Sequence, residues 1–503
     1  MISRERIGRI HSPRQRSAST ALSKRSHELA RAAKERNAER NSDVGDIVDD
    51  LCELKHLLDD LSSTPGLAEE NAFDEIPFGD KPFSEFNNSF VRSIRILKSR
   101  LRRNFDLVER VTRWADTNET SSLLASIRKD YISIKSALRV AYRQRGAMLC
   151  ANDWQSPIYD SSTPFSMNRL AEGIAEHVLD YKRDGHLDAA DYEAKFLQEY
   201  SSHLGSGNLR AYLTNCGMAA FSTVLHWLAS EEQLGDSAVA FTPMYFENIH
   251  LARNFFPGLV AVDSRSSETI LSTLRANNPS VVLIDAVANC GEVLLHEINT
   301  VLNWAAIEAD PNRKVAVVID STCLPTVLLE ANLLKGLPSN VLVLFVESLA
   351  KHHQFGMDTV TGGILIAHMD KAQHTSFSKT RARLGTNIAD TSVGSLPKPH
   401  RQLLSRRMYR HSRNMQLLAD GMKSSERTES GIIESISMME EGTKTVPWFR
   451  SSVLSIRLRK PFRTIAKYKQ FEKTVLSVCA ERKHPVALST SFGFDVSRLY
   501  VTA

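Results

Sequence analysis

The chain has 503 residues, of which 42% are hydrophobic and 24% charged, with a formal net charge of +5. That length suggests two or three folding units, the composition is ordinary for a soluble globular protein, and the charge is modest but unevenly distributed; nucleic acid is not expected as a partner. No run is long and apolar enough to cross a bilayer, and no signal-peptide core precedes a small-residue cleavage site, so a cytoplasmic protein with no membrane partner is expected.

Taken in order, residues 1–40 read as a basic, disordered tail. Between Met1 and Ser26, Arg4, Arg6, Arg9, Arg14, Arg16, Lys24 and Arg25 face a single acid, Glu5. Polyanion binding and a transit peptide are the alternatives such a segment leaves open. Residues 41–150 read as a helical accessory extension without catalytic signal. Ser42–Leu61 carries Val44, Ile47, Val48, Leu51, Leu54 and Leu58 near helical spacing, Thr64–Asn88 is punctuated by Pro and Gly as a loop, and two amphipathic helices follow over 90–116 and 121–148.

From Pro157 the pattern changes to alternating strands and helices. Strands are predicted at Leu209–Thr214, Ser237–Thr242, Leu259–Asp263, Val281–Ile284, Val315–Ile319 and Val341–Val346, with a return strand opening at Thr361-Gly362-Gly363. Short continuous apolar runs bounded by turn residues fit strands covered on both faces, and alternation with helices fits a doubly wound α/β sheet. The strand before Asn215-Cys216-Gly217-Met218 feeds a helix, which makes a phosphate cradle of backbone amides. Polar or aromatic groups recur just past strand ends, at Tyr245, Asn289, Asp320 and Lys351. In open α/β sheets ligands bind at that edge. An acid and a lysine placed there suit pyridoxal phosphate, which needs a lysine for its imine and an acid facing the ring nitrogen. The six cysteines lack paired spacing and read as reduced thiols, and the adjacent His352 and His353 have no third ligand at metal spacing.

The order of these motifs resembles the Cys/Met-metabolism enzymes that use pyridoxal 5'-phosphate, the cystathionine gamma-synthase and gamma-lyase group of fold type I. The resemblance runs from about Ser156 to the C-terminus. It rests on Pro157-Ile158-Tyr159 with Ser162-Thr163, Tyr181-Lys182-Arg183-Asp184-Gly185, Cys216-Gly217-Met218-Ala219-Ala220, Thr242-Pro243-Met244-Tyr245, Asp285-Ala286-Val287-Ala288-Asn289, Asp320-Ser321-Thr322, Ser348-Leu349-Ala350-Lys351 and Arg407–Asn414. It implies that Lys351 binds the cofactor covalently and shuttles protons, with Tyr181 as a second catalytic group. Asp320 would face the ring nitrogen, Tyr245 would stack on the ring and Asn289 would bond its hydroxyl. The Gly217 and Met218 amides with Ser348 would hold the phosphate, joined by Tyr181 and Arg183 from a neighbouring subunit, so a homodimer or homotetramer is expected.

The chain departs from the family pattern at Ala350, which lacks the hydroxyl before the lysine, at Ser321 in place of Asn, and in a 352–358 stretch one residue longer. The tail is shortened, which leaves Arg498 as the candidate for binding the substrate carboxylate, by a guanidinium fork matched to it. The resemblance therefore implies a fold type I large domain over 151–375, a smaller α+β domain over 376–503, and elimination or replacement at the β or γ carbon of a sulfur-containing or homoserine-derived amino acid. Transamination, a gamma-substitution in specialised metabolism, and a non-catalytic binding protein on a degenerate fold are the alternatives.

Overall fold

A computed structural model describes residues 38–64, 81–113, 117–149, 186–201, 208–231, 237–263, 266–290, 292–295, 297–325, 333–425, 431–438, 449 and 451–501. The chain divides into two compact units, Met1–Ala141 and Tyr142–Ala503. Among the described residues no helix is long and apolar enough to cross a membrane.

The described residues of the first unit form helices: α1 (Ala38–Ser62), α2 (Lys81–Arg113) and α3 (Thr117–Leu149), whose last turns belong to the second unit. Ile47, Leu51, Leu54, Leu58 and Leu61 of α1 recur every three or four residues and are buried, as are Ile94, Leu97, Leu101, Phe105 and Val108 of α2. Glu53, buried inside this unit, accepts from Lys135 and from the Tyr131 hydroxyl, so the buried charge is balanced. The segment read as loop over 64–88 is helical from Lys81 onward. Pro82, taken as loop punctuation, falls in the first turn of α2, where a missing N–H and a fixed φ cost nothing.

The second unit comprises, in chain order, α4 (Leu187–Ser201), β1 (Leu209–Thr214), α5 (Gly217–Ser230), β2 (Ala238–Thr242), α6 (Phe246–Phe255), β3 (Val260–Asp263), α7 (Ser267–Asn277), β4 (Val281–Asp285), β5 (Val287–Cys290), β6 (Glu292–Leu295), α8 (Ile298–Ile307), β7 (Val315–Asp320), β8 (Val341–Ser348), β9 (Gly363–His368), α9 (Lys371–Leu384) and α10 (Asp390–Gly394). It continues through α11 (Arg401–Ser425), β10 (Ile433–Ser437), β11 (Ser455–Leu458), α12 (Ile465–Glu481), β12 (Val486–Leu488) and β13 (Ser497–Leu499). The α/β class expected from the sequence is the one observed.

Seven strands form one sheet in the order β1-β9-β8-β7-β4-β2-β3. Neighbours from β8 to β3 are parallel, and only β9, between β8 and β1, runs the other way. Side chains alternate across the sheet with period two. Val315, Val317 and Ile319 of β7 join one core with Phe196, Leu274 and Trp304 from α4, α7 and α8. Ala316 and Val318 join the other with Val224, Ala252 and Phe377 from α5, α6 and α9. Helices on both faces explain why β4, β7 and β8 read as unbroken apolar runs. The β5–β6 hairpin was not expected; Asn289, read as lying just past a strand end, sits within β5 opposite Val293.

One close approach fixes how β9 enters the sheet. Gly363 pairs with Thr214 on one side and Ser348 on the other, and a Cβ there would lie 2.2 Å from the Cys216 carbonyl oxygen and 2.7 Å from the Gly217 nitrogen. Backbone cannot move aside as a flexible side chain can. Gly363→Ala should therefore cost about 1–3 kcal/mol of stability, read as a lower urea midpoint at unchanged slope.

Candidate active site

The parallel register brings the chemistry-bearing residues to one edge. Asp285 and Asp320 are paired residues at the C-terminal ends of β4 and β7, and Ser348 ends β8 opposite Gly363. Each carboxylate, Asp285 buried and Asp320 half-buried, recruits donors. Asp320 accepts from Asn248 Nδ2 at 2.8 Å and from the Thr322 amide at 3.0 Å, and Asp285 accepts the Tyr245 amide at 2.6 Å. Tyr245 is the N-cap of α6, so the first turn of this helix is tied to both carboxylates. Burial pushes Asp285 well above the usual carboxylate range, with the Asp320 charge adding to the rise. Asp320 is also raised by burial, against the hydrogen bonds from Thr322 and Asn248.

Tyr245 is 41% exposed, and its hydroxyl donates to Glu247 at 2.9 Å. Its pKa is pushed up to about 12, by burial first and by that carboxylate partner second. At the start of α5, the Cys216 thiol caps the Ala219 amide at 3.3 Å. The amides of Gly217 and Met218 precede the first residue that can bond within the helix. A Cβ on Gly217 would sit 3.0 Å from Ser348 Cβ, so glycine keeps this corner open beside the serine hydroxyl. The Thr322 hydroxyl accepts from the Ser348 amide at 3.0 Å, linking the turn after Asp320 to the end of β8.

Lys351 lies three residues past β8 and is half-buried. Its Nζ donates to Ser491 Oγ at 2.5 Å and stands 5.2 Å from the centre of the Phe492 ring. Burial lowers its pKa, which the nearby Arg498 reinforces and Asp358 and Asp320 oppose. The turn that carries it is closed by Gln354, whose amide donates to the Leu349 and Val360 carbonyls at 3.2 and 2.8 Å and accepts from Thr359 N at 2.8 Å.

The segment between β12 and β13 completes the surroundings of Lys351. Gly493 has φ +85°, and a Cβ there would lie 2.6 Å from the Lys351 carbonyl. Arg407, almost wholly buried, donates to the Gly493 carbonyl at 3.0 Å and pairs with Asp495 at 2.7 Å. Arg498 donates to Ser489 Oγ at 2.6 Å, with its guanidinium carbon 3.4 Å from the Phe494 ring centre.

Of the residues expected from sequence, Lys351, Asp320, Tyr245, Gly217, Met218 and Ser348 stand at this edge, and Arg498 reaches it from β13. Asn289 is placed only as a backbone position in β5, and Tyr181 and Arg183 fall outside the described residues. Sequence reasoning missed Asn248, Ser491 and Arg407 as site-forming groups. Arg407 opens a stretch already quoted for the resemblance, whereas Asn248 and Ser491 carried no local signal.

A carboxyl whose folded pKa exceeds its ordinary 3.8 binds more protons folded than unfolded, so stability falls as pH rises through that window. Asp285→Asn keeps an acceptor for Tyr245 and removes the buried charge. The variant should be more stable than the native chain in neutral and alkaline solution. Denaturant titrations across pH should show that gain vanishing as pH falls toward 3.8.

The family model for Cys/Met metabolism PLP-dependent enzymes matches residues 140–461. The bifunctional enzyme flvA of Aspergillus flavus is 24% identical over 243 residues, covering 48% of this chain and 29% of that protein, so the chain spans about three tenths of the length of this curated relative. Among solved structures, cystathionine gamma synthase from Xanthomonas oryzae pv. oryzae in complex with cystathionine is 19% identical, covering 63% of this chain and 74% of that one, with a TM-score of 0.47. Cystathionine gamma lyase (CalE6) from Micromonospora echinospora is 18% identical, covering 55% and 68%, with a TM-score of 0.41. With the matched segment spanning well over half of the sequence, the chain belongs to the Cys/Met metabolism family of PLP-dependent enzymes, whose cofactor is pyridoxal phosphate.

Proposed function

We propose that this chain catalyses elimination or replacement at the β or γ carbon of a sulfur-containing or homoserine-derived amino acid. The observation that carries the proposal is the placement of a half-buried lysine with a lowered pKa and a half-buried carboxylate at one sheet edge. The residues fit the cofactor. The opening kept by Gly217 beside Ser348 and the unbonded first-turn amides suits a phosphate, and Asp320 suits a cationic ring nitrogen.

When bound, pyridoxal phosphate supplies an electron sink joined to the substrate's α carbon. Lys351 would attach the cofactor, and its amine, easier to deprotonate than a solvated lysine, would move protons between substrate carbons. Ser491 holds that amine in place. Asp320 would keep the ring nitrogen protonated, and the cation it faces would offset the cost of burying its charge. Tyr245 would stack on the ring, Asn289 would bond its hydroxyl, and the Gly217 and Met218 amides with Ser348 would bind the phosphate. Tyr181 and Arg183 would complete that site from a second copy, so the active unit is at least a dimer. Arg498 would take the substrate carboxylate, with Phe494 fixing the plane of its fork.

The test is the visible spectrum of the purified protein before and after borohydride, beside Lys351→Ala. A yellow chromophore that borohydride fixes to Lys351, absent from the variant, supports the reading. Homoserine esters, cystathionine and cysteine should then yield ammonia and a 2-oxo acid, or a substituted product. A protein that stays colourless with added pyridoxal phosphate overturns the reading. Amino-group transfer to an added 2-oxo acid as the main reaction overturns the assignment to elimination or replacement.

A further inference from the structure

A second set of polar side chains lies beneath this site, and the roles above leave it unused. Ser321, Glu347 and His353 are 0%, 1% and 5% exposed. Ser321 Oγ donates to Glu347 Oε1 at 2.6 Å, and His353 Nε2 stands 2.6 Å from Glu347 Oε2. A carboxylate only accepts, so Nε2 carries the hydrogen. Nδ1 of the same ring is buried and has no hydrogen-bond partner among the described residues. The ring is held against Phe196 and Tyr200, at 5.3 and 5.5 Å between centres.

The positions of these three along the chain give them significance. Ser321 directly follows Asp320, and its own amide donates to the Val346 carbonyl at 3.0 Å. Glu347 is fixed in β8 opposite Ile364. His353 comes two residues after Lys351. One carboxylate, anchored in a central strand, therefore grips both the turn that carries the acid and the turn that carries the amine. Burying a carboxylate is costly, and apolar packing of similar volume often serves stability as well or better. Stability alone gives little reason for this arrangement.

We propose that Glu347 is a positioning residue of the cofactor site, locking the Asp320 turn to the Lys351 turn through Ser321 and His353 so that acid and amine face one ring at a fixed separation. The proposal rests on the cofactor roles given above. Besides His353, the ionisable groups that feel the Glu347 charge include Asp320 and the Tyr200 hydroxyl.

The test uses the full chain loaded with pyridoxal phosphate and reads three quantities: cofactor dissociation, the midpoint of the chromophore's pH titration, and the thermal unfolding midpoint. Glu347→Gln should loosen the cofactor about tenfold, the size of one lost charge-assisted hydrogen bond. It should also move the titration midpoint to lower pH, because a nearby negative charge favours the protonated chromophore. Ser321→Ala and His353→Phe should each loosen the cofactor several-fold, and Ser321→Ala should add little on top of Glu347→Gln. His353→Gln, which restores an N–H donor, should recover part of the loss.

A folded Glu347→Gln protein with native cofactor dissociation and titration midpoint overturns the inference while leaving the cofactor reading intact. Should Glu347→Gln not fold, native cofactor retention in both Ser321→Ala and His353→Phe overturns it in the same way. A native protein that takes up no pyridoxal phosphate overturns both readings.

Discussion

Setting two carboxylates, one buried and one half-buried, at the ends of neighbouring parallel strands creates the local demands that the rest of the site meets. Asp285 and Asp320 cannot both ionise cheaply side by side at low solvent exposure, so each needs donors aimed at it. The donors are the Tyr245 amide, the Asn248 side chain and the Thr322 amide. Supplying them fixes where α6 begins, how the chain turns after β7 and, through the Thr322 hydroxyl, where β8 ends. The aromatic ring, the acid and the lysine turn thus take their places as consequences of one electrostatic problem.

The reversed strand adds a steric constraint of a different kind. β9 passes between β8 and β1 with its first residue against the backbone of the α5 N-terminus. That approach brings the helix amides next to Ser348, on the strand that leads to Lys351. A side chain at either Gly217 or Gly363 would prise the two apart.

How much of this could be read from the sequence follows the range of the interactions. The strands β4, β7 and β8 were legible because helices cover both faces and leave only apolar letters, and Asp320 and Lys351 were legible because they follow those runs. The hairpin over Val287–Leu295 was not, since each strand is only four residues long and starts directly after a strand end. The bonds that shape the site join residues far apart: Asn248 to Asp320 across 72 positions and Lys351 to Ser491 across 140. Nothing local in either partner announces the other. The start of α2 was misread for the opposite reason, because a proline that favours the first helical turn looks locally like a loop residue.

The bond between Lys351 and Ser491 also bears on synthesis. A ribosome adding roughly 5–20 residues per second takes on the order of ten seconds to pass from one to the other. In that interval the seven-stranded sheet, complete by His368, can pair while the lysine still lacks the segment that shields it. The amine therefore emerges before Ser491, Phe492 and Arg498 exist, and what these three contribute to its surroundings is added last. The surroundings of this lysine are thus completed late in the growing chain, behind the scaffold that displays it.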